Sequence, residues 1–212
     1  MTYADSLWLF LLLVAGIIIV PGMDMLYVLA NGLTGGRKSG LVATSGMVAG
    51  GVVHSLYGTV GTGLLVALAP KLFLPLLIGG AIYMCWIGYT LIRSSITVDT
   101  VEGASAVPLP TVFRRAVLTC LMNPKAYLFV IAVYPQFVRP EYGPLWRQGL
   151  ALGAMTALTQ TIVYGAVALA AGRARGLLVG NPAATIWTGR VVGLLLILVA
   201  LLTAFEGLRG SV

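Results

Sequence analysis

Apolar runs of about twenty residues, separated by short polar connections, recur along the whole chain. At ~1.5 Å of rise per residue such runs match the ~30 Å hydrocarbon core of a bilayer. The pattern predicts six helices, over Leu7–Leu29, Leu41–Leu68, Leu72–Leu91, Val112–Tyr134, Leu145–Ala171 and Ile186–Phe205. The expected fold class is all-α: a polytopic membrane protein with six transmembrane helices. The first run does not read as a cleaved signal peptide, because Asp5 precedes it and no Lys or Arg does. The longest polar connection, Arg93 to Arg115, carries Ser94, Ser95, Asp99, Glu102, Pro108 and Pro110. It predicts a single transmembrane domain over 1–212 with two halves, 1–93 and 112–212, joined by a linker at 94–111.

Composition agrees with the pattern. Of the 212 residues, 59% are apolar and only 9% are charged, whereas a soluble domain carries about a quarter charged residues. The net charge of +7 would suggest nucleic acid in a soluble protein. Here the basic residues stand singly or in pairs between apolar runs, so the excess reads as a topology signal and no nucleic-acid partner is expected. Arg37, Lys38, Arg93, Arg114, Arg115, Arg173, Arg175 and Arg190 fall on one side, eight against Lys71, Arg139, Arg147 and Arg209 on the other. That bias places the linker in the cytoplasm and both termini outside. Trp8, Tyr83, Trp86, Trp146 and Trp187 lie near helix ends, where aromatic rings anchor to the interface. Cys85 and Cys120 form no CxxC, so neither a disulfide framework nor a zinc site is expected.

The two halves resemble one another. Pro21-Gly22 interrupts the first predicted helix and Asn123-Pro124 the fourth, with the prolines 103 residues apart. Gly46, Gly50, His54, Gly58 and Thr62 recur at four-residue spacing, as do Gly149, Gly153, Ala157, Thr161 and Gly165, again offset by 103. Small residues at that spacing let helices approach closely in lipid, within one chain or between two, so a homodimer is among the partners to be considered. Three helices per half is an odd number, so similar halves insert upside down relative to one another. Inverted repeats with breaks in matching positions point to a secondary transporter with its site between the breaks.

Two charges sit beside those breaks. Asp24 follows Pro21 by three residues and Lys125 follows Pro124 directly. Each costs about 2.5–3.5 kcal/mol at the centre of a membrane helix, so each needs a reason to be there. One reading is a structural ion pair or a snorkelling lysine. The other sets Asp24 against a substrate ammonium or a proton, and Lys125 against a carboxylate or as the group that keeps Asp24 charged. His54 on the glycine stripe and Gln160 in the fifth helix are each open to a packing role or a role in substrate or proton handling. Asn123, at the second break, completes the candidate set. With one acid in a span and one histidine, the chain offers no convincing triad, no metal cluster and no cofactor motif, so an enzyme is not expected.

The run Phe113-Arg114-Arg115-Ala116 through Asn123-Pro124-Lys125-Ala126 to Tyr134-Pro135-Gln136-Phe137-Val138 resembles the LysE/RhtB family of bacterial amino-acid exporters. Pro21-Gly22, Gly35-Gly36-Arg37-Lys38-Ser39-Gly40, Gly46-x3-Gly50-x3-His54 and Gly80-Ala81-Ile82-Tyr83-x2-Trp86-Ile87-Gly88 are similar to it as well. The resemblance implies export of an amino acid or close derivative across the bacterial inner membrane, driven by the proton gradient. The chain departs from it in two places: many members have Asn or Ser where Asp24 stands, and an acid where Gln160 stands. A relocated acid implies different coupling or a different substrate charge, so no particular substrate follows. Two other readings stand beside this one. A membrane thiol–disulfide carrier needs two cysteines able to meet, and Cys120 lies near a break while Cys85 does not. A metal-cation exporter would have thin ligation from one acid and one histidine.

Overall fold

The computed structural model describes residues 2–19, 22–61, 107–178 and 182–210 and, within 75–93, residues 75, 78–79, 81–83, 85–86, 88–89 and 92–93. The described residues are almost wholly helical. Six helices are fully delimited: α1 (Tyr3–Ile19), α2 (Met23–Val60), α3 (Leu109–Leu121), α4 (Pro124–Phe137), α5 (Leu145–Leu178) and α6 (Pro182–Gly210). The described residues of 75–93, within the expected third helix, are helical too. Most of the linker lies outside the described residues, and α3 begins three residues before the expected start at Val112.

Backbone chemistry accounts for the interruption expected in the first helix and for one local correction. The first expected helix is two pieces: α1 ends at Ile19, and Gly22 stands extended (φ −163°, ψ −170°) ahead of α2. Pro21, named as the break, lies outside the described residues. The polar stretch from Ala30 to Gly40, expected as a loop, is helical, with one bend at Gly36 (φ 74°, ψ −174°). Only glycine takes that conformation without cost. The polar side chains of this stretch return their hydrogen bonds to the helix, Asn31 Nδ2 to Tyr27 O at 2.8 Å and Thr34 Oγ1 to Ala30 O at 2.8 Å. The fourth expected helix is broken as anticipated, into α3 and α4, with Asn123 as the N-cap of α4 and Pro124 at its first position. The start of α1 is held by a reciprocal cap in which Thr2 and Asp5 bond each other's backbone or side chain.

The core is organised around α2, which packs most extensively on α5 and α3. Glycine makes those contacts close. A Cβ on Gly46 would sit 2.5 Å from that of Ala116, one on Gly50 2.6 Å from that of Cys120, and one on Gly58 2.7 Å from Tyr134 Cδ1. From α5, Gly149 faces Thr59 and Gly153 faces Ser55. These members of the two small-residue stripes are therefore used within the chain. Residue 75–93 contacts are equally tight, since Gly88 and Gly193 of α6 each face the other's carbonyl oxygen, and the Arg115 guanidinium lies over Trp86 at 5.1 Å.

Many large apolar side chains stand on the outside of the bundle. Leu12, Leu56, Leu150, Leu158, Ile162 and Leu194 are all exposed, with Trp8, Trp146 and Trp187 toward helix ends. A water-soluble monomer does not carry apolar surface on this scale. By length and composition α2 and residues Leu145–Ala174 of α5 are each able to cross a membrane. Gly46→Ala should cost about 1–3 kcal/mol, because its methyl group meets Ala116 and the Phe113 carbonyl. Gly165→Ala, with nothing within 4 Å, should cost nothing. Unfolding in mixed detergent micelles compares the two.

Candidate functional site

Proline has no N–H, so each break leaves the carbonyl four residues earlier without its helical donor. In a membrane no water is at hand to supply one. For Pro21 that carbonyl belongs to Ile17, and for Pro124 to Cys120. The structure answers both with side chains from distant parts of the chain. Lys125 Nζ donates to Ile17 O at 2.9 Å, and His54 Nε2 to Cys120 O at 2.9 Å. Asn123 N–H also reaches Cys120 O, at 3.1 Å.

His54 is thereby assigned its tautomer. A carbonyl only accepts, so Nε2 carries the proton and Nδ1 accepts from the Tyr57 hydroxyl, whose ring meets the imidazole edge-on at 5.2 Å between centroids. Both ring nitrogens of the neutral side chain are then used.

The breaks also hold each other directly. Asn123 Oδ1 accepts from the backbone N–H of Lys125 at 3.0 Å, capping α4, while Asn123 Nδ2 donates to Asp24 Oδ1 at 2.8 Å. One side chain thus caps one half-helix and neutralises a lone pair of the acid in the other. Asp24 is 4% exposed and Asn123 2%. Cys120 and Tyr164 also face the Asp24 carboxylate. Gly22 leaves room for the lysine: a Cβ there would stand 3.1 Å from Lys125 Nζ.

All five candidate polar residues, Asp24, His54, Asn123, Lys125 and Gln160, line one cavity. Its volume is about 50 Å³, room for a few waters. The rest of the lining is largely apolar, with Val14, Ile17 and Ile18 from α1 and Ala126, Phe129 and Val130 from α4. One turn beyond the cavity along α1, Phe10 packs against Phe129, Tyr134 and Phe137. On the other side of Asp24, Tyr27 Oη donates to Val112 O at 3.2 Å, closing α2 on α3. Gly51, Ser55, Tyr134, Thr156 and Tyr164 complete the lining and were not among the site residues expected from sequence, although Tyr134 belongs to the motif that carries the resemblance. Tyr134 Oη donates to Ser55 Oγ at 2.8 Å. Tyr164 had a signal, since it follows Gln160 by one helical turn.

The cysteines are both free, Cys120 buried beside Asp24 and Cys85 half-buried in residues 75–93. Among the described residues no three His, Cys, Asp or Glu side chains come together as a metal cluster. What the site offers is a carboxylate, an ammonium and an amide around a small cavity at two helix breaks.

The LysE type translocator model matches residues 15–207, and so spans both breaks. The chain belongs to the LysE type translocator family. It is 33% identical over 166 residues to an uncharacterized membrane protein of Vibrio cholerae, covering 77% of this chain and 80% of that one. It is 34% identical over 123 residues to a leucine efflux protein of Klebsiella pneumoniae, covering 58% of each. It is likewise 34% identical over 140 residues to a membrane protein of Pseudomonas aeruginosa, covering 64% of this chain and 65% of the relative. The chain thus spans under two thirds of the leucine efflux protein's length. No solved structure matches it. As a LysE type translocator it is a membrane protein of an amino-acid exporter family, and the thiol carrier and metal exporter readings find no support in these matches.

If His54 serves to satisfy the Cys120 carbonyl, its donor matters more than its titration. His54→Leu should lower stability by about 1–3 kcal/mol, the cost of an unsatisfied buried carbonyl. His54→Gln, which keeps an N–H donor, should lose less than half of that and retain transport. Unfolding in mixed micelles and uptake into proteoliposomes check both arms.

Proposed function

We propose that this translocator exports a small neutral amino acid from the cytoplasm in exchange for protons, with Asp24 as the coupling group. The observation that carries the reading is the meeting of two broken helices at a cavity whose wall holds both Asp24 and Lys125. A zwitterion presents one ammonium and one carboxylate. Asp24 suits the first and Lys125 the second. A proton and an ammonium compete for the same carboxylate, and that mutual exclusion is the physical basis of antiport. Proton entry from outside would discharge Asp24 and release the substrate; proton loss to the cytoplasm would restore the acceptor.

The wider architecture follows from the same features. Six spans arranged as two inverted three-helix repeats account for the breaks at equivalent places, with the orphaned carbonyls of Ile17 and Cys120 103 residues apart like the prolines. The bias of basic residues supports an inner-membrane orientation with both termini outside and 94–111 in the cytoplasm. The cavity is smaller than an amino acid, so loading requires α1 and α4 to part at the Phe10 cluster or α2 and α3 to part at Tyr27. Alternating access would consist of those two openings in turn. A leucine efflux protein among the relatives supports a neutral substrate.

Efflux of radiolabelled amino acids from loaded proteoliposomes, with and without an imposed pH gradient, tests the reading. Asp24→Asn should keep the fold, since the amide still meets Asn123, yet lose gradient-driven export by at least tenfold. The double variant Asp24→Asn/Lys125→Met should remain inactive. Normal pH-driven export from that double variant would show that the pair does not carry the mechanism.

A further inference from the structure

The proposed function leaves Gln160 without a task, and its geometry gives it one. The side chain is 5% exposed and lines the cavity with Asp24. Its amide hydrogen-bonds the Cys120 thiol, while Oε1 is buried with no hydrogen-bond partner. An oxygen that has no partner leaves the N–H end as the donor to sulfur. Gly51 makes this placement possible, because a Cβ there would fall on Gln160 Oε1. An unpartnered buried acceptor on a residue that lines a cavity asks for a donor from whatever enters it.

The other polar groups around the cavity narrow what that donor is. Neutral His54 has both nitrogens engaged, by Cys120 O and Tyr57 Oη. Asn123 is committed to Asp24 and to the cap of α4. Lys125 Nζ, the cation of the lining, donates to Ile17 O, so Asp24 and Gln160 Oε1 stand as two acceptors at the same cavity, and a ligand meets them with several N–H groups on one atom. The apolar part of the lining, Val14, Ile18, Ala126, Phe129 and Val130, offers neither donor nor acceptor side chains.

We infer that Gln160 receives the substrate's ammonium together with Asp24, and that the site therefore takes α-amino acids with a neutral aliphatic side chain laid against α1 and α4. The inference rests on the proposed export of amino acids and adds which atoms read the substrate. A basic side chain would bring a second cation toward the apolar wall, and an acidic one would bring an unpaired anion there. Both leave a charge desolvated without a partner.

The test is competition against radiolabelled leucine on the purified full-length protein in lipid nanodiscs. Leucinamide keeps the ammonium and side chain but lacks the carboxylate; 4-methylpentanoate keeps the carboxylate and side chain but lacks the ammonium. Gln160→Met removes the amide at nearly constant length. It should weaken leucine and leucinamide by tenfold or more and change 4-methylpentanoate by less than twofold. In the wild type, lysine and glutamate should each compete at least tenfold more weakly than leucine. If Gln160→Met fails to fold, Gln160→Asn withdraws the oxygen by one methylene and should show the same selective loss. Equal weakening of all three ligands, or none, would overturn the role of Gln160. Lysine or glutamate binding as well as leucine would overturn the substrate class. Failure of the wild type to bind leucine or any other amino acid would remove the export reading itself, and this inference with it.

Discussion

A proline within a membrane helix leaves one carbonyl oxygen without its N–H donor, in a medium that supplies no other. The rest of this structure depends on how that is resolved at two places 103 residues apart in the chain. Ile17 O takes the ammonium of Lys125, and Cys120 O takes the imidazole of His54. The donors come from other helices, so satisfying the backbone ties α1 to α4 and α2 to α3 around one cavity. Asn123 adds the direct tie by capping α4 and bonding Asp24 at once. The polar centre of an otherwise apolar bundle is a consequence of broken backbone, and its side chains are recruited before any substrate is considered.

That origin explains why structural and functional readings of the same residues are not exclusive. Lys125 terminates α1 electrostatically as a cation at a helix C-terminus, a favourable placement in its own right. It also lines the cavity beside Asp24. A group that holds two half-helices together is well placed to report, and to be moved by, what binds between them. His54 is different: its hydrogen bonds are complete within the protein, which favours a supporting role over a relay. The aromatic cluster at Phe10 joins α1 to α4, and the Tyr27–Val112 bond joins α2 to α3.

Much of this was legible in the sequence because the forces involved are local and severe. Apolar runs marked the helices, and the cost of a charge in hydrocarbon singled out Asp24 and Lys125. The motif around Asn123-Pro124-Lys125 placed the second break, and all five polar candidates share one cavity. What was not legible was set by tertiary contact. The stretch from Ala30 to Gly40 looked like a loop, since polarity cannot tell a connection from a helix whose side chains bond back to it. Nothing local shows that Lys125 reaches Ile17, that Gly51 makes way for Gln160, or that Gln148 ties the segment before α5 by bonding Arg139 and Gly143. Ser55 escaped notice, and Tyr134 was read only as part of a motif, because a hydroxyl in an apolar run acquires meaning only from its partner.

The claim that the two breaks hold each other is tested most directly by a double-mutant cycle on its central bond. Asp24→Leu, Asn123→Leu and the double variant would be compared with the parent by unfolding in mixed micelles. Loss of the α4 cap and of the acid's other contacts cancels in the cycle, leaving the interaction between the two side chains. The account predicts a coupling of about 1.5–3 kcal/mol, as for a hydrogen bond to a charged group. Additive losses, agreeing within about 0.5 kcal/mol, would mean that the breaks are stabilised independently and would contradict it.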